Sequence, residues 1–116
     1  MKESPIFTRT HDLLLWLLNA TRKFPREQRF MLAQRLVDQA FALQDALVAA
    51  GIDRQGQQRH LQRADMALVG LRKTLLLCLD LDLFQEGQYR HASAMTAEVG
   101  RLLGGWQKAQ PSTAPP

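Results

Sequence analysis

Apolar side chains recur along most of this chain at alternating steps of three and four residues, a rhythm that an α-helix turns into one continuous face. Leu61, Ala64, Leu68, Leu71, Leu75 and Cys78 follow it, and so do Tyr89, Ala92, Thr96, Val99, Leu103 and Trp106. Leu32, Leu36, Ala40, Leu43 and Leu47 make a third stripe, widened by Phe30, Val37, Phe41 and Val48. A half-buried strand would alternate at every second residue instead. The three-four seam is the one that packs helices at about +20° in a bundle. Leu13 to Leu18 departs from it by being apolar all round, so that helix is either more buried than its neighbours or meets another chain.

Proline and glycine divide the chain into four helix-length segments. The first is expected from Ile6 to Lys23, just after Pro5, and the second from Pro25 to Ala50. Pro25 can open a helix at its first turn, and Gly51 is the expected left-handed residue past its end. Asp53 is a candidate N-cap for a third helix, Arg54 to Leu83. Gln85-Glu86-Gly87 marks the next break, before a fourth helix from Gln88 to Lys108. Short connections make neighbours antiparallel, so the expected fold is all-α, an up-down-up-down four-helix bundle forming one domain over residues 1–108. With 116 residues, 46% of them apolar, such a domain buries a core without disulfides. Residues 109–116 are expected to be a disordered Pro-rich tail. Gly100 and Gly104 each cost about 1 kcal/mol against alanine in a helix, and a close backbone approach by a neighbouring helix is the expected compensation.

Chemistry that needs a metal or a nucleophile is not visible. A di-iron bundle requires Glu-x-x-His pairs, and none of Glu3, Glu27, Glu86 or Glu98 has histidine three residues on. His11, His60 and His91 stand in different segments. Cys78, alone in the chain and set among leucines, reads as buried filler and excludes an internal disulfide or a Cys-paired zinc site. No phosphate-loop pattern occurs, since Gly104-Gly105 is followed directly by Trp106. The expectation is a protein that is not an enzyme and holds no metal or cofactor. The apolar run from Leu13 to Leu18 is shorter than the roughly 7–15 residues of a signal-peptide core or the roughly 20 of a membrane span. A cytoplasmic protein with no membrane contact is expected.

The cations carry more information. Fifteen Lys and Arg against eleven Asp and Glu leave a net charge of +4, and eleven of the fifteen are Arg, which pairs bidentately with phosphate or carboxylate. Arg22, Lys23, Arg26, Arg29 and Arg35 are opposed in their stretch only by Glu27, a local excess as large as that of the whole chain. A second group, Arg54, Arg59, Arg63, Arg72 and Lys73, lies along the third segment. In an up-down bundle the two groups form a stripe along the flank or two separate patches. Such surface binds phosphate in a salt-sensitive way that is largely independent of sequence. No aromatic interleaves with the cations in a way that suggests base stacking, so backbone contact is the expected mode. Asp80, Asp82 and Glu86 belong to the same end and can neutralise part of the first group. The alternative is a helical interaction module whose cations meet an acidic protein partner without nucleic acid. Trp16 and Trp106 are either core filler or, with Gly100 and Gly104, part of an oligomer seam.

Two stretches resemble a known family. The run Leu13-Leu14-Leu15-Trp16-Leu17-Leu18-Asn19-Ala20-Thr21-Arg22-Lys23-Phe24-Pro25-Arg26-Glu27-Gln28-Arg29-Phe30 is similar to the first hairpin of the accessory variability determinant (Avd) proteins of diversity-generating retroelements. Glu98-Val99-Gly100-Arg101-Leu102-Leu103-Gly104-Gly105-Trp106, with Gln88 to Ser93 before it, is similar to their last helix. The resemblance spans about residues 8–108. It implies a small bacterial bundle that assembles as a homopentameric barrel and binds reverse transcriptase and nucleic acid, template RNA or cDNA, in support of mutagenic retrohoming. It carries Arg22, Lys23, Arg26, Arg29 and Arg101 over as nucleic-acid contacts, beside Arg59, Arg63, Arg72 and Lys73 from the charge pattern. The wider superfamily includes bundle proteins encoded in intervening sequences of rRNA genes.

Overall fold

The helices form in chain order as α1 (Pro5–Thr21), a three-residue turn α2 (Arg26–Gln28), a π-helical turn (Arg29–Ala33), α3 (Gln34–Ile52), α4 (Gln57–Asp80) and α5 (Glu86–Lys108). This computed structural model describes residues 4–111, the side chains of Gln28 and Arg29 excepted. Most of the Pro-rich tail, residues 112–116, lies outside the described residues. Pro111 lies inside them, its carbonyl accepting a long 3.5 Å hydrogen bond from Gln58. Among the described residues there is no strand.

Contacts between helices fix their directions. Phe7, near the start of α1, meets Trp106, near the end of α5, with ring centroids 6.1 Å apart. Trp16, near the end of α1, meets His91, near the start of α5, at 5.4 Å. Phe7 also reaches Gly51 at the far end of α3, Gln39 reaches Gly70 across α3 and α4, and Leu68 reaches Gly100 across α4 and α5. The four long helices therefore alternate up and down, and α1 closes the ring against both α3 and α5.

The stripes converge on one core. Leu36, Leu43, Leu47, Leu61, Leu71, Leu75, Val99 and Leu103 are fully buried, with Leu13 and Leu17 from α1. The apolar run in α1 buries Leu13, Leu14 and Leu17 and leaves Leu15 and Leu18 open to solvent. Cys78 is enclosed, and burial pushes its thiol pKa up to about 11, as befits inert filler.

The segment boundaries differ from the expected ones for local reasons. The second helix does not run unbroken from Pro25: hydrogen bonding lapses to the wider π pattern at Arg29–Ala33. An uninterrupted helix would align Phe30 with Val37 and Phe41. The inserted turn breaks that alignment, but Phe41 and Val48 are themselves 42% and 43% exposed, so of the residues expected to widen the stripe only Val37 is half-buried, and Phe30 stands 81% exposed. Gly51 is not a left-handed end residue but an interior residue of α3, and no glycine among the described residues has positive φ. Asp53 caps the loop and not the next helix, its Oδ1 accepting from the Gly56 N–H at 3.1 Å, so α4 starts at Gln57. That helix stops at Asp80, short of Leu83, because Asp82 takes the left-handed conformation, φ 60°. Leu83 N–H then bonds Cys78 C=O at 2.9 Å and Asp82 N–H bonds Leu79 C=O at 3.0 Å, the paired bonds of a Schellman ending. Glu86 and Gly87, expected as a break, form the first turn of α5, where Gln85 N–H donates to Gln88 Oε1 at 2.9 Å.

Candidate nucleic-acid interface

The turn from α1 into α2 is held by an aromatic plug. Thr21 Oγ1 donates to Leu17 C=O at 2.7 Å, and the amides of Lys23 and Phe24 bond back to Ala20 and Thr21. Phe24 is buried, its ring edge-on to Phe84 at 5.0 Å, and Trp16 lies 5.7 Å from Phe84. Anchoring Phe24 inward leaves Arg22, Lys23 and Arg26 exposed around it on a short, fixed loop. The Arg29 side chain lies outside the described residues.

Antiparallel packing adds to this end. With Gln39 opposite Gly70, Arg35 on α3 lies at about the level of Arg72 and Lys73 on α4, and all three are exposed. Among the described residues the ion pairs are His60–Asp53, Arg90–Glu86 and Arg101–Glu98; none involves Lys23, Arg26, Arg35, Arg72 or Lys73. Glu86, a candidate neutraliser, faces Arg90 at 3.6 Å.

The remaining cations lie elsewhere. Arg59 and Arg63 sit at the opposite end, at the α3–α4 turn. There His60 Nε2 lies 3.0 Å from Asp53 Oδ2 and Arg63 Nη1 3.0 Å from His60 Nδ1. Because guanidinium only donates, Nδ1 accepts and Nε2–H donates to Asp53. The Gly56 amide, then His60, hold the Asp53 carboxyl below its ordinary range. Arg63 is thus part of a turn-closing network. Arg101 forks onto Glu98 at 2.7 and 3.0 Å, which lowers the Glu98 pKa and raises that of Arg101.

Trp16 and Trp106 are half-buried between α1 and α5. A Cβ on Gly100 would lie 3.4 Å from a Leu68 methyl, and one on Gly104 would meet nothing within 4 Å. The expected close backbone approach is therefore absent among the described residues. Among the described residues no three His, Cys, Asp or Glu side chains gather as metal ligands, and no helix is long and apolar enough to cross a membrane. What the basic end offers chemically is fixed positive charge.

Residues 6–110 match the profile of a family described as bAvd-like. The chain belongs to the bAvd-like family. It is thus an Avd-type protein, from a family of accessory proteins. No curated protein matches it. The matched span holds all four long helices of this bAvd-like chain except Pro5, with every cation discussed above. Arg35 and Phe30 were the residues that a sequence reading underweights. Arg35 shows its place only once α3 and α4 are paired, and Phe30 only once the π turn is seen.

Proposed function

We propose that this bAvd-like chain is a non-enzymatic accessory protein of a diversity-generating retroelement, a basic oligomer that binds reverse transcriptase and nucleic acid, template RNA or cDNA, to support mutagenic retrohoming. The observation that carries the reading is the basic end of the bundle, where Lys23, Arg26, Arg35, Arg72 and Lys73 stand exposed and outside every ion pair of the described residues. Arg22 and Arg29 belong to the same stretch of chain. Arg59 extends the basic surface to the far end, and Arg63 and Arg101 join it in so far as polyanion competes with their present partners. Guanidinium and ammonium groups held on a rigid turn neutralise phosphates and release counterions, which favours binding without base readout.

Exposed apolar surface supports assembly. Leu15 and Leu18 on α1 and Met66, Val69, Leu76 and Leu77 on α4 are exposed, and these helices occupy opposite corners of the bundle. Two different apolar faces joined head to tail generate a ring, which fits the pentamer that the family resemblance implies. Gly104, open within the chain, together with Gly100, Trp16 and Trp106, contributes to the seam between copies.

Gel shifts with RNA and DNA at near-physiological salt test the reading. The expected result is retardation of both at micromolar protein. No shift at tens of micromolar contradicts it and favours an acidic protein partner.

A further inference from the structure

The π turn does more than interrupt a helix. Phe30 and Met31, 81% and 73% exposed, are the large apolar side chains most open to solvent at the basic end. They line a shallow groove of about 480 Å³ with Gln34, Arg35, Asp38 and Gln39. Two properties of this groove point to one kind of occupant. Its apolar element is an aromatic ring, which offers a flat face for stacking. Its lining pairs one guanidinium, Arg35, with one carboxylate, Asp38, which accepts from Gln34 Nε2 at 2.8 Å, and the exposed Lys23, Arg26, Arg72 and Lys73 belong to the same end of the bundle. An exposed ring beside a guanidinium, at the end of the bundle where these exposed cations gather, matches the π-face and phosphate of an unpaired nucleotide. Bases inside a duplex are stacked on one another and leave no free face.

We propose that Phe30 is a stacking platform for an unpaired base, so that the basic end prefers single-stranded nucleic acid to duplex. The proposal rests on the reading that this end binds nucleic acid, and it assigns that reading a substrate form. Stacking adds an interaction that does not depend on salt to one that does.

The test is fluorescence anisotropy of the full chain with a labelled single strand of roughly 20 nucleotides, and with the same strand annealed to its complement. Phe30→Ala, at a position too exposed to disturb folding, is expected to weaken single-strand binding about five- to hundredfold. Duplex affinity and the salt slope stay as in the wild type, and Phe30→Trp restores single-strand binding. Unchanged single-strand affinity in Phe30→Ala overturns the proposal, as does an equal loss on both probes. A change in particle mass by light scattering on Phe30→Ala also overturns it, because the ring is then covered by a second copy. A wild type that binds neither probe removes the underlying reading as well, which separates that failure from the others.

Discussion

Asp82 is held at φ 60° by the bonds that end α4, and that conformation costs an L-residue roughly 1–2 kcal/mol unless its side chain tolerates it, as Asp and Asn do better than most. Asp82→Val is expected to lower unfolding free energy by about 1–2 kcal/mol in urea titration, whereas Asp82→Gly leaves it unchanged or higher. Equal effects of the two would show that backbone conformation is not the cause. This residue was illegible in sequence, because Leu81-Asp82-Leu83-Phe84 continues the apolar rhythm of α4 and contains no glycine to mark the reversal. Cys78 was the opposite case. A thiol between leucines on the apolar stripe reads as filler, and burial alone accounts for its raised pKa.

At the scale of elements, the α3–α4 turn has a pH dependence with a definite sign. Asp53 is more acidic folded than unfolded, owing first to the Gly56 amide and then to His60. Its contribution is therefore fully present above the ordinary value of 3.8 and is lost as pH falls through the lower folded value. Wild type should lose stability on acidification below about pH 4 more steeply than Asp53→Asn, measured by circular dichroism in urea. Parallel acid profiles would contradict this. Helix identity and core faces were legible, since Leu61 to Cys78 and Leu32 to Leu47 read directly as stripes and are buried as such. The π turn was not: Phe30-Met31-Leu32-Ala33 supplies apolar residues in every direction, so a shift in hydrogen-bond register leaves no mark in the pattern. The missed ends share a cause, because Gly51 and Gly87 are compatible with helix and need no turn.

For the whole molecule, packing decides which cations are surface charge. Counting located the basic stretch around Arg22 to Arg35, but only the fold shows that Arg72 and Lys73 join that end while Arg63 and Arg101 are tied to His60 and Glu98. Assembly belongs to this scale too. Gly104→Ala should stabilise an isolated bundle by up to about 1 kcal/mol, as nothing among the described residues opposes the methyl group. If copies approach closely there, the same change lowers the particle mass seen by light scattering from an oligomer toward 13.2 kDa. An oligomer of unchanged mass would remove Gly104 from the seam. The central claim, that the bundle end around the first hairpin meets nucleic-acid phosphates, is tested most directly by the slope of log affinity against log salt for duplex DNA. Replacing Arg22, Lys23, Arg26 and Arg29 together by Gln should reduce that slope by about 0.9 for every phosphate that is no longer neutralised, with helicity intact. A slope equal to that of the wild type would contradict the account.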